Sequence, residues 1–147
     1  MNYSISSVLI YSDASNIGAA AYSVELENKV FHKMWELSET LESSTWRELK
    51  AIELALLSFK NVFEGKVIKW FIDNQNCIRI VQSGSMSEKL HTIALSIFST
   101  CIQKCISIDM QWVPRKQNAT VSYLSRLIDH EDWGVSEDFF QTDLLVP

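Results

Sequence analysis

The chain of 147 residues carries 13 Lys and Arg against 18 Asp and Glu, a formal net charge of −5, with 47% hydrophobic and 21% charged residues. That length suits one domain around one core, and only four Gly and two Pro exclude a fibrous or disordered chain. The acidic balance argues against gripping nucleic acid through a broad basic surface, because phosphate neutralisation needs clustered Lys and Arg.

The longest apolar stretches, such as Ala51–Phe59, fall far short of the roughly 20 residues that cross a bilayer. Met1–Ser7 lacks the layout of a signal peptide, so an intracellular protein without membrane association is expected. Cys77, Cys101 and Cys105 are odd in number and sit in apolar settings, the pattern of buried free thiols in a reducing compartment. Cys101 and Cys105 share a helix face and His91 lies upstream, but no fourth ligand has zinc-site spacing.

In chain order, Val8–Asp13 is rich in strand formers and ends at a polar turn, Ala14-Ser15-Asn16; Ile17–Val24 and Val30–Leu37 read as two further strands of a meander. The period then changes. Trp46, Leu49, Ile52, Leu56 and Phe59 recur at three- and four-residue spacing, the mark of a helix with one buried face, and Ser43, Ser44 and Thr45 supply its N-cap. Gly65 punctuates the chain before a fourth strand, Val67–Ile72. Helical patterns over Asn74–Gln82 and, past Gly84, over Glu88–Lys104 follow. Ile106, Ile108, Met110 and Trp112 alternate with polar residues, so a half-exposed fifth strand stops at Pro114. A last short helix is expected from about Asn118 to Leu127. The order βββ-α-β-αα-β-α implies an α/β fold with a five-stranded mixed sheet and helices on its faces. The domain is placed at residues 1–128, and the acidic, aromatic segment 129–147, with Trp133, Phe139 and Phe140, is expected to pack on it or lead to a neighbour.

The first and fourth strands each end in Asp. If they lie parallel and adjacent, the right-handed crossover rule puts Asp13 and Asp73 at one sheet edge, where open α/β sheets bind ligands. Glu48, four residues before Ile52, borders the buried stripe of the helix joining them and can lean toward that edge. Three converging carboxylates repel one another unless a cation sits among them, and hard oxygen ligands favour Mg²⁺ or Mn²⁺. Ordinary roles compete: Glu48 could complete a capping box with Thr45, and Asp13 and Asp73 could begin turns or cap the segments that follow.

The phrases Tyr11-Ser12-Asp13-Ala14-Ser15, Ser44-Thr45-Trp46-Arg47-Glu48-Leu49, Phe71-Ile72-Asp73-Asn74-Gln75, Trp112-Val113-Pro114-Arg115 and Tyr123-Leu124-Ser125-Arg126, in this order and spacing, resemble the successive blocks of retroelement RNase H domains. The wording is similar to the domain that follows reverse transcriptase in DIRS-type retrotransposons, and the match runs from about Val8 to Trp133. The resemblance implies an RNase H-like fold with Asp13 at the centre of the sheet. It also implies hydrolysis of the RNA strand of an RNA–DNA hybrid with two Mg²⁺ ions about 4 Å apart at the scissile phosphate. Asp13 would bridge both metals, Glu48 would serve the ion nearer the leaving group, and Asp73 the ion that activates water. A reverse transcriptase domain in the same polyprotein is the implied partner.

Two departures from the family pattern stand out. The family carries a fourth carboxylate in a phrase reading Ala-Asp-Tyr-Leu-Ser-Arg, whereas this chain reads Val121-Ser122-Tyr123-Leu124. Ser122 is a poor Mg²⁺ ligand, so impaired cleavage, or an inactive module serving as a structural or protein-interaction domain, is expected. Val81–Ser85 also lacks the basic insertion of cellular RNases H, so the isolated domain should bind hybrids weakly. Arg115 and Lys116 are the best phosphate contacts, and Asn16, Asn74, Gln75 and Asn118 could read sugar hydroxyls, though ordinary turn chemistry also accounts for these residues. Two other nuclease readings fit less well. A proofreading exonuclease wants an acid where Ser15 stands, and the integrase-like spacing of Asp73 and Asp109 is better explained by Asp109 on a solvated strand face.

Overall fold

The computed structural model describes residues 7–23 and 29–114. Strands β1 (Ser7–Ala14), β2 (Gly18–Ser23) and β3 (Lys29–Met34) precede the short helix α1 (Leu37–Thr40) and the long helix α2 (Ser44–Phe63). Strand β4 (Val67–Ile72), helices α3 (Gln75–Ser83) and α4 (Glu88–Lys104) and strand β5 (Ser107–Trp112) follow. The five strands form one sheet in the order β3-β2-β1-β4-β5. β2 is antiparallel to β1 and to β3, while β4 is parallel to β1 and to β5. The expected mixed sheet is therefore present, with β1 at its centre.

Alternation along the strands decides what each face meets. Ile10 of β1 pairs with Trp70 of β4, which pairs with Met110 of β5, and all three belong to the core with the α2 residues Leu49, Ile52, Leu56, Phe59 and Phe63. Helix α2 thus buries one stripe against the sheet, and α4 contributes Ile93, Ala94 and Ile97 to the same core. Each of the Leu, Ile, Phe and Met side chains among them contributes about 1.5–3 kcal/mol when fully removed from water. On the other face Tyr11 and Phe71, partners across β1 and β4, stack with centroids 4.7 Å apart.

Three local differences from the sequence expectation have physical causes, and one cap is as expected. The third strand stops at Met34, and Leu37, expected within it, opens α1. There the Glu36 N–H donates to Glu39 Oε1 at 2.8 Å, half of a capping box that the Glu-x-x-Glu spacing encodes. Helix α2 is capped by Ser43, whose hydroxyl accepts from the Trp46 N–H at 3.0 Å. The third helix starts at Gln75 because Asn74 is its cap, accepting from the Cys77 N–H at 3.1 Å. Among the cysteines only Cys77 is buried; Cys101 is half-buried and Cys105 exposed. Cys105 follows the last residue of α4 as its cap, in the left-handed region at φ 55.

The turn from α3 to α4 is short. Gly84 takes φ +80, and a Cβ there would lie 2.8 Å from His91, whose Nδ1 accepts from the Ser85 N–H at 3.2 Å. Among the described residues no helix is long and apolar enough to cross a membrane. The expected last helix and the segment 129–147 lie outside the described residues.

Candidate metal centre

The β1–β4 ladder ends at the pair Tyr11 and Phe71. Asp13 and Asp73 each stand two residues further on, so parallel pairing carries both to the same end of the sheet and alternation gives them the same face. Asp13 is next to last in β1 and opposite Ala20 of β2, a neighbour too small to fill the space beside it. Asp73 follows the last residue of β4 and precedes the cap of α3.

Glu48 arrives from α2, in its second turn, and its Oε2 accepts the Ala14 N–H at 3.4 Å. That bond, across 34 positions of sequence, anchors the helix over the end of β1. It also replaces the capping-box role open to Glu48, since the cap of α2 is Ser43.

One carboxylate oxygen from each of Asp13, Glu48 and Asp73 lies within 4.8 Å of the other two. Asp13 and Glu48 are buried, at 3% and 7% exposure, and Asp73 is half-buried. Burial holds the Glu48 carboxyl well above the usual carboxylate range, and the charge of Asp13, a hydrogen bond with Asp13 and the charge of Asp73 push the same way; the Ala14 N–H pulls against them. Glu48 Oε1 is buried and receives no hydrogen bond from a backbone N–H or hydroxyl among the described residues. Hard oxygens gathered with like charge at a largely buried position form a donor set that fits a divalent cation with a preference for oxygen.

The other sequence candidates divide. Asn16 is exposed in the turn between β1 and β2, and its Oδ1 accepts from Arg47 Nη2 at 3.2 Å. Asn74 spends its Oδ1 on capping α3, so part of its role is the ordinary turn chemistry weighed against it. Gln75 is exposed in the first turn of α3. Asp109 is exposed, pairs with Lys69 of β4 and accepts from Gln111 Nε2 at 2.9 Å, a solvated strand position away from the three acids. Ser15 braces its own turn, its hydroxyl accepting from the Ile17 and Gly18 N–H groups at 3.2 and 3.1 Å. Among the described residues Cys101, Cys105 and His91 belong to no metal-ligand group. Arg115, Lys116, Asn118 and Ser122 lie outside the described residues.

The sequence assigned no site role to two residues near the acids. The Cys77 thiol donates to the Thr45 carbonyl at 3.6 Å, tying α3 to the start of α2. Burial first, and then the charges of Glu48 and Asp73, raise its pKa far above the ordinary thiol range. Arg47, next to Glu48, donates through Nη1 to the carbonyls of Thr40 and Glu42 at 3.2 and 2.6 Å, and through Nη2 to Asn16. The signal for Cys77 was its place three residues after a capping Asn; for Arg47 none was local.

No protein-family model matches the sequence, and no curated protein does. Solved structures do. RNase H1 of the halophilic archaeon Halobacterium salinarum is 14% identical, with TM-score 0.68 over 86% of this chain and 99% of its own. An RNase H1 isolated from compost by a metagenomic approach is 16% identical, with TM-score 0.67 over 84% of this chain and 96% of its own. A second structure of the compost enzyme, in complex with an RNA/DNA hybrid, is 15% identical with TM-score 0.63 over 76% and 88% of the two chains. At these identities the likeness establishes the fold: a five-stranded mixed sheet of RNase H type, with the three acids at one end of its two central parallel strands.

Proposed function

We propose that this chain is a retroelement-type RNase H domain that hydrolyses the RNA strand of RNA–DNA hybrids, at a rate lowered by Ser122 in the place of a fourth carboxylate. The observation that carries the reading is the gathering of Asp13, Glu48 and Asp73 within 4.8 Å at the end of the central parallel pair. Three acids brought from two strand ends and a helix have no structural need to meet, and their mutual repulsion is a cost that a cation offsets. The complex of the compost RNase H1 with an RNA/DNA hybrid supports the choice of substrate.

Asp13, Glu48 and Asp73 would hold Mg²⁺, or Mn²⁺ in its place. When bound, such ions supply charge neutralisation at the scissile phosphate and activation of the attacking water. The chain's own contribution is placement. Asp13 is fixed by the ladder to β2, Glu48 by the Ala14 N–H, and Asp73 by the strand-to-helix turn that Asn74 caps. Exposed Asn16 and Gln75, with Asn74, Arg115, Lys116 and Asn118, would contact the hybrid's sugars and phosphates. With a net charge of −5, the domain binds hybrids weakly alone and depends on a reverse transcriptase domain in the same polyprotein for affinity.

The neutral hydroxyl of Ser122 favours a second reading, an RNase H-like module without catalysis that serves as a structural or protein-interaction domain. Cleavage of a labelled RNA–DNA hybrid in Mg²⁺ and in Mn²⁺, beside Asp13→Asn and Ser122→Asp, separates the two. Cleavage by the unaltered chain that Asp13→Asn abolishes supports the enzyme. Cleavage only after Ser122→Asp supports the silent module on an intact scaffold, and none with either chain removes the RNase H assignment.

A further inference from the structure

Arg47 makes three hydrogen bonds that no role of the acid cluster requires. Its guanidinium holds the carbonyls of Thr40, at the end of α1, and Glu42, in the link to α2, and reaches across to Asn16 in the β1–β2 turn. Guanidinium has five donors and no acceptor. Whatever faces it must accept, so only the oxygen of the Asn16 amide can lie toward Arg47, and the Nδ2 amine of this exposed residue is left for other partners. The chemistry of the partner therefore fixes the sense of an amide whose two ends are otherwise nearly interchangeable in shape.

Both ends of this contact lie close in sequence to members of the acid cluster. Asn16 follows Asp13 by one turn of chain, and Arg47 directly precedes Glu48, whose carboxylate takes the Ala14 N–H. The β1–β2 turn and the start of α2 are thus joined twice, once through Glu48 and once through Arg47.

We propose that Arg47 is a positioning residue for substrate. It locks the Asn16 amide with its N–H donors outward, so that the rim beside the three acids meets a nucleic-acid strand as a hydrogen-bond donor, suited to ribose and phosphate oxygens. The inference rests on the RNase H reading for the identity of the strand. Lysine could not replace Arg47, since a point-like ammonium lacks the planar fork that holds two carbonyls and an amide together.

The test is a double-substitution cycle on hybrid affinity, read by anisotropy of a labelled RNA–DNA hybrid in Mg²⁺ with Asp13→Asn as the uncleaving background. Arg47→Met and Asn16→Ala should each weaken binding about three- to tenfold, the worth of one hydrogen bond, and together no more than either alone. Arg47→Gln, which can turn either end of its own amide to Asn16, should fall between the unaltered chain and Arg47→Met. Unfolding midpoints identify any variant that fails to fold. In the free protein, the Arg47 guanidinium protons should exchange slowly with solvent, and Asn16→Ala should release those on Nη2.

Additive effects of the two substitutions, or hybrid binding that neither alters, would overturn the inference and leave the RNase H reading standing. Fast-exchanging Arg47 protons would overturn it as well. No hybrid binding by the background chain, with the Arg47 protons still protected, would instead remove the RNase H reading and reduce Arg47 to a brace of the turn.

Discussion

Trp70 Nε1 donates to Ser12 Oγ at 2.8 Å inside the core, both side chains being fully buried. The bond crosses the last pair of their ladder, from Trp70 within it to Ser12 just past it, one residue before Asp13. It holds the two strands together where the acids begin.

Ser12→Ala should therefore destabilise the protein by about 1–3 kcal/mol, because it strands a buried indole N–H. Trp70→Phe, which removes the donor and leaves a hydroxyl in the core, should cost a similar amount through lost volume and lost pairing. The double substitution should cost less than the sum of the two. Urea unfolding of the three variants at one pH measures this directly.

Stability without metal should depend on pH through Glu48. Its carboxyl is raised in the folded state, first by burial and then by Asp13 and Asp73, so the folded chain binds this proton more tightly than the unfolded chain. The stabilisation is fully present below the ordinary Glu value of about 4.3 and is lost as pH rises through the higher folded value. Thermal midpoints recorded from pH 4 upward in EDTA should fall on account of this group, and Glu48→Gln should flatten that fall. A Glu48→Gln profile as steep as that of the unaltered chain would count against the assignment.

Divalent cations should reverse the loss. At about ten times the dissociation constant, a cation that binds only the folded state adds about 1.4 kcal/mol. Mg²⁺ and Mn²⁺ should raise the thermal midpoint in a concentration-dependent way, EDTA should undo the rise, and Asp13→Asn should remove most of it. Calorimetric titration of the folded chain gives the same constant independently.

Thiol reactivity should follow the order Cys105, Cys101, Cys77. Cys105 is exposed and Cys77 buried; burial pushes the Cys101 thiol up to about 11, and burial with the neighbouring acids pushes Cys77 higher still. The thiolate is the reactive form. Timed alkylation at pH 8 followed by mass spectrometry should label Cys105 first, and Cys77 only under conditions that unfold the chain.

Gly84→Ala should cost more than about 1 kcal/mol, since an L side chain is strained at positive φ. The added Cβ would also meet the His91 ring at 2.8 Å. Thermal unfolding of this variant against a substitution at the fully exposed Met86 isolates the effect.

Strand ends and helix faces are legible in the sequence because they are periodic. The alternation of Val67–Ile72 and the spacing of Leu49, Ile52, Leu56 and Phe59 report directly on what each residue buries. Two Asp-ended strands then suffice to bring Asp13 and Asp73 together, given the handedness of crossovers. What stayed hidden depends on partners distant in sequence or on one backbone angle. Arg47 meets Asn16 across 31 positions, and no local pattern marks such a contact. Cys105 is exposed at the end of α4, where φ turns positive, and no local pattern marks that angle. Asn74 lies beside Asp73, and spacing alone does not separate a substrate contact from the helix cap it forms.

The pairing of β1 with β4 also constrains how the protein reaches its native state. Ser12 and Trp70 are 58 residues apart in the chain, and the parallel ladder around them closes a loop that contains β2, β3, α1 and α2. Such long-range closure is slow relative to local hairpin and helix formation. The β1–β2–β3 meander and α2 can form early from neighbouring segments, but Asp73 joins Asp13 only when β4 docks. A cation therefore finds its complete set of ligands late, so added Mg²⁺ should slow unfolding while leaving the refolding rate nearly unchanged.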